Sequence, residues 1–314
     1  MSETFKPVEQ KWAASSLRSR SSDVTFNLKL AVYLAGIYYG IKLVYAPNLT
    51  LQIIGMFIIG AFFAHGVELQ HQVLHNQGLS NKYMNEFVGV LLGIPLLVSY
   101  AGYQASHLRH HKNLGTSENK ELFDYGDQYG EGKSASLLVW LKRIFMPSLY
   151  ISFLGGLWRA LTFRPFDGES PDVSRRMRRD YVVVLFAIIF LSTASRWTGS
   201  ILIFKVWLIP LVLFAAPIHA FIEFPEHFSC NVKTTSVFEN TRSIKSNAFM
   251  TWFTNGNNYH VEHHLMPGLP IDRLHDLHAS IADQILHYYP TYRSFYGALF
   301  SGRLRNGSTR STGE

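Results

Sequence analysis

Cysteine and charged residues are scarce in this chain, and each shortage excludes a class of protein. Cys230 is the single cysteine among 314 residues, so an internal disulfide or a metal site built from several thiolates is excluded. Charged residues make up 16% of the chain, whereas a soluble domain typically has about 25%. The chain also lacks the His-Glu-x-x-His sequence of zinc hydrolases. The low share of charged residues argues against an ordinary soluble domain.

Four long apolar runs account for the low charge. They cover residues 28–46, 51–70, 181–196 and 200–222, and a helix needs roughly 20 apolar residues to cross the hydrocarbon core of a bilayer. Only short turns separate the first run from the second and the third from the fourth. We therefore predict an all-α integral membrane protein with four transmembrane helices in two antiparallel hairpins.

The basic residues predict how these helices are oriented. Lys and Arg are concentrated before, between and after the hairpins, most densely in "RRMRRD" at residues 175–180. By the positive-inside rule, both termini and the long middle segment are predicted to be cytoplasmic. Membrane topology thus accounts for the net charge of +7, and no nucleic-acid partner is expected. Residues 1–27 are predicted to form a polar N-terminal segment, 28–300 a single membrane domain and 301–314 a disordered tail.

Eight of the 14 histidines fall in three clusters: "HQVLH" at 71–75, "HLRHH" at 107–111 and "HVEHH" at 260–264. Histidines scattered at this frequency would give two His-x-x-His-His copies in well under about 0.1% of chains. On a helix, positions i, i+3 and i+4 share a face, so each cluster can direct imidazoles at a metal ion. Adjacent histidines diverge by about 100° around the helix axis, and eight imidazoles therefore predict two ions. The predicted ligands are His71, His75, His107, His110, His111, His260, His263 and His264. Imidazole binds iron, copper, nickel and zinc alike, so the ligand type alone does not choose the metal.

Two further stretches are apolar but differ from simple spans. Residues 87–103 are predicted to be re-entrant or interfacial, because a full crossing would put the first two histidine clusters on opposite sides of the membrane. Residues 135–162 mix apolar and basic residues, which predicts an interfacial helix broken at Pro147. The metal site is then expected at the membrane surface, where a lipid chain can approach it.

The three clusters resemble the three histidine boxes of the membrane fatty acid desaturase and hydroxylase superfamily. The stretch "NYHVEHHLMPGLPIDRLHDLH" at 258–278 is similar to the surroundings of that family's third box, and the resemblance extends over about residues 50–285. It implies an O2-dependent enzyme with two non-haem iron ions, and four transmembrane helices with a cytoplasmic helical cap that holds the di-iron site. It also implies a ninth iron ligand, and His227 in "EFPEHFSC" matches its place.

Two glutamates are candidates for roles beside the ligands. Glu68 lies on the predicted face of His71 and His75, so we predict that it supports these ligands by hydrogen bonding. Glu223 is predicted to share a helix face with His219 and His227. Animal-type acyl-CoA desaturases of the resembled family tend to have Asn at this position, and a carboxylate here could bind iron directly. The other five histidines are interpreted as packing or surface residues: His65, His219, His275, His278 and His287.

Desaturation is the function that the resemblance favours, because removal of two hydrogens from a lipid acyl chain leaves a double bond. Since the sequence has no His-Pro-Gly-Gly haem motif, a separate protein of ferredoxin or cytochrome b5 type is expected to deliver electrons. The same boxes serve hydroxylation, carotenoid ketolation and oxidative decarboxylation, so these alternatives stay open. A non-enzymatic metal transporter or receptor is an alternative from another class. Transporters place ligands near the bilayer midplane, whereas these clusters follow the ends of apolar runs.

Overall fold

The computed structural model describes residues 20–119, 136–231 and 233–304. Residues 1–19 and 305–314, which make up most of the predicted N-terminal segment and C-terminal tail, lie outside the described residues. The chain divides into two compact units. We call residues 23–107 and 136–221 the membrane unit. The described parts of 108–135 and 222–314, together with residues 20–22, form the C-terminal unit.

Long helices make up the membrane unit. In chain order they are α1 (Arg20–Val44), α2 (Leu49–Leu74), α3 (Lys82–Gly93), α4 (Tyr100–Asn113, whose second half belongs to the C-terminal unit), α5 (Leu137–Phe145), α6 (Pro147–Leu161), α7 (Pro171–Trp197), two π-helical segments (Phe204–Leu208 and Pro210–Ala215) and α8 (Ala216–Glu223). Among the described residues, four helices are long and apolar enough to cross a membrane: Asp23–Val44, Leu49–Leu74, Pro171–Trp197 and Phe204–Glu223. This confirms the expected number of candidate spans. The bent pair α5 and α6 would make a fifth if it were one span.

Small residues let the backbones of these helices touch. A β-carbon on Gly55 of α2 would lie 2.6 Å from the carbonyl oxygen of Gly40 on α1. A β-carbon on Gly60 would lie 2.7 Å from the carbonyl oxygen of Pro210. Such close approach is how helices associate where burial of apolar side chains gives little driving force. The helix α2 therefore packs at the centre of the membrane unit, with its last turns buried.

The two apolar stretches that were predicted to be re-entrant or interfacial each consist of two helices separated by a break. Residues 87–103 form the end of α3 and the start of α4, separated by a turn at 94–99. Pro95 lacks an N–H donor and disfavours helix before it, and its carbonyl oxygen accepts a 2.8 Å hydrogen bond from Trp207 Nε1–H. The helices α5 and α6 meet at an angle of 49°. Met146 lies at the bend with φ of 45°, and Pro147 begins α6.

Short elements surround an apolar core in the C-terminal unit. They are α9 (Val237–Asn240), β1 (Arg242–Ile244), α10 (Ala248–Phe253), α11 (His260–Leu265), a 3₁₀ turn (Ile271–Arg273), α12 (Leu274–Ile281), β2 (His287–Tyr289) and α13 (Tyr292–Phe300). The strands β1 and β2 pair in parallel, with Arg242 opposite His287. The fold is thus mostly helical rather than all-α. The sequence did not predict the two strands, because three residues are too few to show a period-two pattern. Val261 and Leu274 are completely buried in the core of this unit.

Candidate metal centre

Four buried histidines of the C-terminal unit converge on one point, and we call them the four-imidazole cluster. They are His110 in the last turn of α4, His227 in the turn after α8, and His260 and His264 of α11. One ring nitrogen from each lies within 4.8 Å of the others. The Nε2–Nε2 distances are 3.3 Å between His110 and His264, 3.1 Å between His264 and His260, and 3.2 Å between His260 and His227. The sequence predicted all four as ligands.

Backbone hydrogen bonding fixes which nitrogen of His227 carries the proton. Its Nδ1 lies 3.0 Å from the carbonyl oxygen of Asn240, and a carbonyl oxygen can only accept. The proton is therefore on Nδ1, and a neutral ring then has a lone pair on Nε2. That lone pair is directed at the Nε2 atom of His260.

An asparagine fixes His260 in the same way. Asn257 Nδ2–H donates to a carboxylate oxygen of Glu226 over 3.1 Å, which leaves Asn257 Oδ1 to accept from His260 Nδ1–H, also over 3.1 Å. The His260 Nε2 atom then carries a lone pair as well. His110 Nδ1 lies 2.9 Å from Asn119 Oδ1. These partners on Nδ1 orient the rings as hydrogen-bonded neighbours orient the histidine ligands of a metal.

Burial favours the neutral form of two rings of the cluster, those of His227 and His264. It lowers the pKa of His227 well below the ordinary value of 6.5, and the nearby His110 lowers it further. Burial likewise lowers the pKa of His264 far below 6.5, with added effects from His111 and His260. Neutral imidazoles are the form that binds a metal ion. The C-terminal unit is therefore built to present lone pairs to a cation.

A second imidazole pair lies beside the cluster in the same unit. His111 Nε2 is 2.9 Å from His263 Nε2, and the ring centroids are 4.6 Å apart. His263 is buried and His111 is partly buried. Because His110 and His111 are adjacent on α4, they point in different directions around the helix. One of them joins the four-imidazole cluster and the other joins His263.

The remaining predicted ligands form a group in the membrane unit, which we call the three-imidazole set. His71 in the last turn of α2 has its Nε2 2.8 Å from His107 Nε2 on α4. His75 caps the C-terminus of α2, and its ring centroid lies 5.1 Å from those of both His71 and His107. Burial lowers the pKa of His75 to about 4. The i and i+4 spacing at the end of α2 thus brings two rings to the same neighbour, as the sequence predicted.

A carboxylate from another helix holds the N-terminus of α4, which carries three of the predicted ligands. Asp180 of α7 is 1% exposed, and its Oδ2 atom accepts hydrogen bonds from Ala101 N–H (2.8 Å) and the Ser99 hydroxyl (2.9 Å). The Ser99 oxygen in turn accepts from Gly102 N–H. A negative charge at this end also complements the helix dipole. The start of α4 is therefore clamped to α7.

A second carboxylate holds α11. Glu262 is completely buried, and it accepts a 2.5 Å hydrogen bond from the Ser243 hydroxyl of β1 and a very short one from His278 Nδ1–H of α12. Ser243 Oγ also accepts from Val261 N–H at 3.0 Å. The sequence assigned His278 to the surface or to packing. Its pairing with Glu262 was not foreseen, since nothing in the local pattern links residues 16 apart.

One predicted helix face does not exist. The helix α8 ends at Glu223, and His227 lies in the turn that follows. Pro225 explains the break, because it lacks an N–H and disfavours helix at the residue before it. His219 and Glu223 do lie one turn apart on α8. In the membrane unit, Glu68 of α2 is buried, and one of its oxygens lies within 4.8 Å of a ring nitrogen of His219.

The residue that the sequence did not single out is Glu226. One of its carboxylate oxygens lies 3.1 Å from His260 Nε2. The available signal was its position directly before His227 in "EFPEHFSC". The i, i+4 spacing of a helix pointed to Glu223 instead. That spacing does not hold beyond Glu223, where the helix ends.

The donor atoms suit a first-row transition metal. Imidazole nitrogen is a ligand for iron, copper, nickel and zinc. Two ligand atoms that each bind one metal at about 2.1 Å and at a right angle lie about 3.0 Å apart. The Nε2 separations of 3.1–3.3 Å in the four-imidazole cluster match that spacing. The residues thus fit a bound metal ion.

Comparison with known proteins agrees with this geometry. A family model described as "Fatty acid desaturase" matches residues 47–296. That range contains all nine predicted histidine ligands, both candidate glutamates and Glu226.

Curated relatives are similar at low identity. Dihydrorhizobitoxine desaturase of Bradyrhizobium elkanii is 28% identical over 71% of this chain and 65% of its own length. An acyl-lipid (9-3)-desaturase of Physcomitrium patens is 25% identical over 67% of this chain and 43% of its own length. An sn-1 acyl-lipid omega-3 desaturase (ferredoxin) of Nostoc sp. is 39% identical over 19% of this chain and 16% of its own. The chain spans less than two thirds of the length of these relatives.

Proposed function

The chain belongs to the fatty acid desaturase family, and from this premise we propose that it is a membrane-bound, O2-dependent oxidoreductase that introduces a double bond into the acyl chain of a lipid. The observation that carries the proposal is the four-imidazole cluster, whose hydrogen-bonded rings direct buried lone pairs at one point. The names of the three relatives described above, each a desaturase, support the reaction type.

We propose two iron ions, held by nine histidines. One would bind the four-imidazole cluster. The other would bind the three-imidazole set together with His111 and His263. The helix α4 supports this second assignment, because His107 and His111 are one turn apart on the same face of a continuous helix. We further propose that Glu68 and His219 support the ligands at the end of α2, and that Glu223 adds a carboxylate one turn after His219.

The four candidate spans are proposed to form two hairpins with a cytoplasmic cap and cytoplasmic termini. Contacts between α1 and α2 support the first hairpin, because they pair in reverse order: Gly40 meets Gly55, and Tyr33 meets Gly66. The basic run at the start of α7 supports the orientation. Since α4 contributes residues to both compact units, we propose that residues 28–300 act as one domain.

The chain's own residues would position the metals and exclude water. When bound, the irons would supply O2 activation and removal of hydrogen from an unactivated methylene. The Nδ1–H groups of His227 and His260 donate to Asn240 and Asn257, so their Nε2 lone pairs stay aimed at the metal. Burial of the cluster excludes water, which protects a reactive centre from side reactions. Asp180 and Glu262 keep the ligand-bearing helices in place.

A separate protein is proposed to deliver the electrons. The reduction of O2 during desaturation needs two electrons besides those taken from the lipid chain. The word "ferredoxin" in the name of the Nostoc relative supports a small soluble iron–sulfur donor. A cytochrome b5-type donor would meet the same need. Lipid and O2 are the proposed substrates.

The first test is the removal of a ligand from the four-imidazole cluster. We expect His110→Ala to lose about half of the bound iron and all lipid-dependent O2 consumption, while the protein still inserts in the membrane. His275→Ala is the matched control, since the His275 side chain is 70% exposed. Iron content, O2 uptake and mass spectrometry of the lipids would be measured in a host of defined lipid composition.

The outcomes separate the alternatives. A product that carries a hydroxyl or keto group, or has lost its carboxyl carbon, would replace desaturation by hydroxylation, ketolation or decarboxylation at the same site. Exchangeable metal well below two ions per chain, without O2 uptake, would indicate a transporter or receptor. Activity retained in His110→Ala would refute the metal assignment.

A further inference from the structure

Glu226 has a defined place at the four-imidazole cluster, and its backbone shows why. Its N–H donates to the carbonyl oxygen of Glu223 over 2.9 Å, and its own carbonyl oxygen accepts from Arg242 N–H over 2.8 Å. Both bonds lie within the C-terminal unit. The turn after α8 is thus held at two points, and the side chain, which is 14% exposed, points inward.

Each carboxylate oxygen of Glu226 faces a different group. The Oε1 atom accepts from Asn257 Nδ2–H at 3.1 Å. The Oε2 atom lies 3.1 Å from His260 Nε2. Because His260 carries its proton on Nδ1, where Asn257 Oδ1 accepts it, the Nε2 atom has no hydrogen to donate. In the neutral ring, two lone pairs therefore face each other at hydrogen-bond distance, an arrangement that a metal cation between them would stabilise.

The distances place this oxygen on the same scale as the ring nitrogens. His260 Nε2 is 3.1 Å from His264 Nε2, 3.2 Å from His227 Nε2 and 3.1 Å from the Glu226 oxygen. Neighbouring ligands of one metal at about 2.1 Å are about 3.0 Å apart when they are at right angles. The oxygen thus lies at the spacing of a neighbouring ligand from His260 Nε2, the ring nitrogen that it contacts.

Charge balance favours a carboxylate at this point. Four neutral imidazoles leave the two positive charges of a divalent metal uncompensated, and a buried charge without a partner is costly. The buried side chain of Arg242 adds further positive charge nearby. Its guanidinium donates a hydrogen bond to the carbonyl oxygen of Pro225, the residue before Glu226. The carboxylate of Glu262 is already engaged by Ser243 and His278. Glu226, in contrast, has a carboxylate oxygen 3.1 Å from a ring nitrogen of the cluster.

We propose that the Glu226 carboxylate is a ligand of the metal held by His110, His227, His260 and His264, so that this ion is bound by four nitrogens and one oxygen. The inference rests on the proposed function, since it takes the four-imidazole cluster to be a metal site. It adds to the nine histidines an anionic ligand that lowers the charge of the centre.

The test uses Co2+ alone, added to the full-length, metal-free protein in detergent. The d–d absorption of Co2+ becomes more intense when the coordination number falls from five to four, so the loss of an oxygen ligand is visible without any turnover. We expect Glu226→Ala to weaken one of two Co2+ sites by about 10–100-fold or more and to intensify its spectrum. Added acetate should restore the wild-type spectrum, because its carboxylate can enter the vacated space.

Two further variants make the result specific. Glu239→Gln is the matched control, since Glu239 lies in the same unit and its carboxylate accepts from Asn231. It should leave both Co2+ sites unchanged. Glu226→Gln keeps the shape and the acceptor for Asn257, and serves if the alanine variant does not fold. It should weaken the same site, because the negative charge is lost.

The outcomes also distinguish this proposal from the proposed function. Two tight Co2+ sites in the wild-type protein, with affinity and spectrum unchanged in Glu226→Ala and Glu226→Gln, would overturn the role of Glu226 and leave the desaturase proposal intact. Weakened binding with an unchanged spectrum and no rescue by acetate would make Glu226 a positioning residue, and would also overturn ligation. No bound Co2+ in the wild-type protein would refute the metal site itself.

Discussion

The four-imidazole cluster and the three-imidazole set bring ring nitrogens to similar distances by different means. In the cluster, the Nε2 atoms are 3.1–3.3 Å apart, and His227 and His260 are oriented by Asn240 and Asn257, which lie outside long helices. In the set, the Nε2 atoms of His71 and His107 lie 2.8 Å apart because the helices α2 and α4 bring the two residues together. The cluster depends on individual hydrogen bonds, whereas the set depends on the placement of helices. Substitutions that leave the ligands intact should therefore affect metal affinity in the first case and folding stability in the second.

The largest effect is expected at Asn257, whose amide contacts both His260 and Glu226. Asn257→Leu keeps a similar volume but removes both hydrogen bonds, so the His260 ring and the carboxylate lose their orientation. We expect metal affinity at the cluster to fall by about 10–100-fold, with little change in the unfolding midpoint of the metal-free protein.

Titration with Co2+ measures this affinity. Asn231→Leu is the control, because the Asn231 side chain is exposed and hydrogen-bonds to Glu239 rather than to a histidine. Unchanged affinity in Asn257→Leu would contradict the idea that single hydrogen bonds orient the cluster.

A smaller effect of the opposite kind is expected at Asp180. Asp180→Ala leaves the buried Ala101 N–H and Ser99 hydroxyl without their acceptor, which should lower the free energy of unfolding by about 1–3 kcal/mol. Metal affinity of the folded protein should change by only a few-fold. Asp180→Asn keeps an acceptor and should recover part of the loss.

Unfolding in increasing SDS, with metal content measured in parallel, tests this prediction. The control is Asp172→Ala, which removes an exposed pair with Arg175 and should cost under about 0.5 kcal/mol. Loss of metal without loss of stability in Asp180→Ala would contradict the proposed difference between the four-imidazole cluster and the three-imidazole set.

The effect expected to be smallest at neutral pH concerns acid sensitivity and a histidine outside both groups. Burial, and secondarily Arg242, hold the pKa of His287 at about 4, against an ordinary value of 6.5. The unfolded chain binds more protons between these two values, so the free energy of unfolding should fall as the pH drops from about 6.5 to about 4. His287→Gln should make this dependence shallower.

Unfolding midpoints of the metal-free protein, measured between about pH 7 and about pH 4.5, give the slope. His275→Gln, at an exposed position, should leave the slope unchanged. Equal slopes in His287→Gln and the wild-type protein would assign all of the acid sensitivity to the ligand histidines.

Sequence reasoning succeeded where one local period applies. The apolar runs gave the four candidate spans, and the i, i+4 spacing of His71 and His75 predicted that their rings lie close together. It failed where contacts join distant segments or cross a break. Asp180 reaches α4 across 79 residues, and Glu226 lies past the helix end that Pro225 imposes. Local spacing contains no information on such contacts, because they depend on how the elements pack.

The break at Pro225 also limits how this chain can change in length. Consecutive residues of a helix point about 100° apart, but in the turn after α8 the neighbours Glu226 and His227 both reach His260. Inserting or deleting one residue between Glu223 and Glu226 would turn both the Glu226 carboxylate and the His227 ring away from His260. Related chains that keep this centre should therefore vary in the length of other loops, while the number of residues between the positions of Glu223 and Glu226 stays constant.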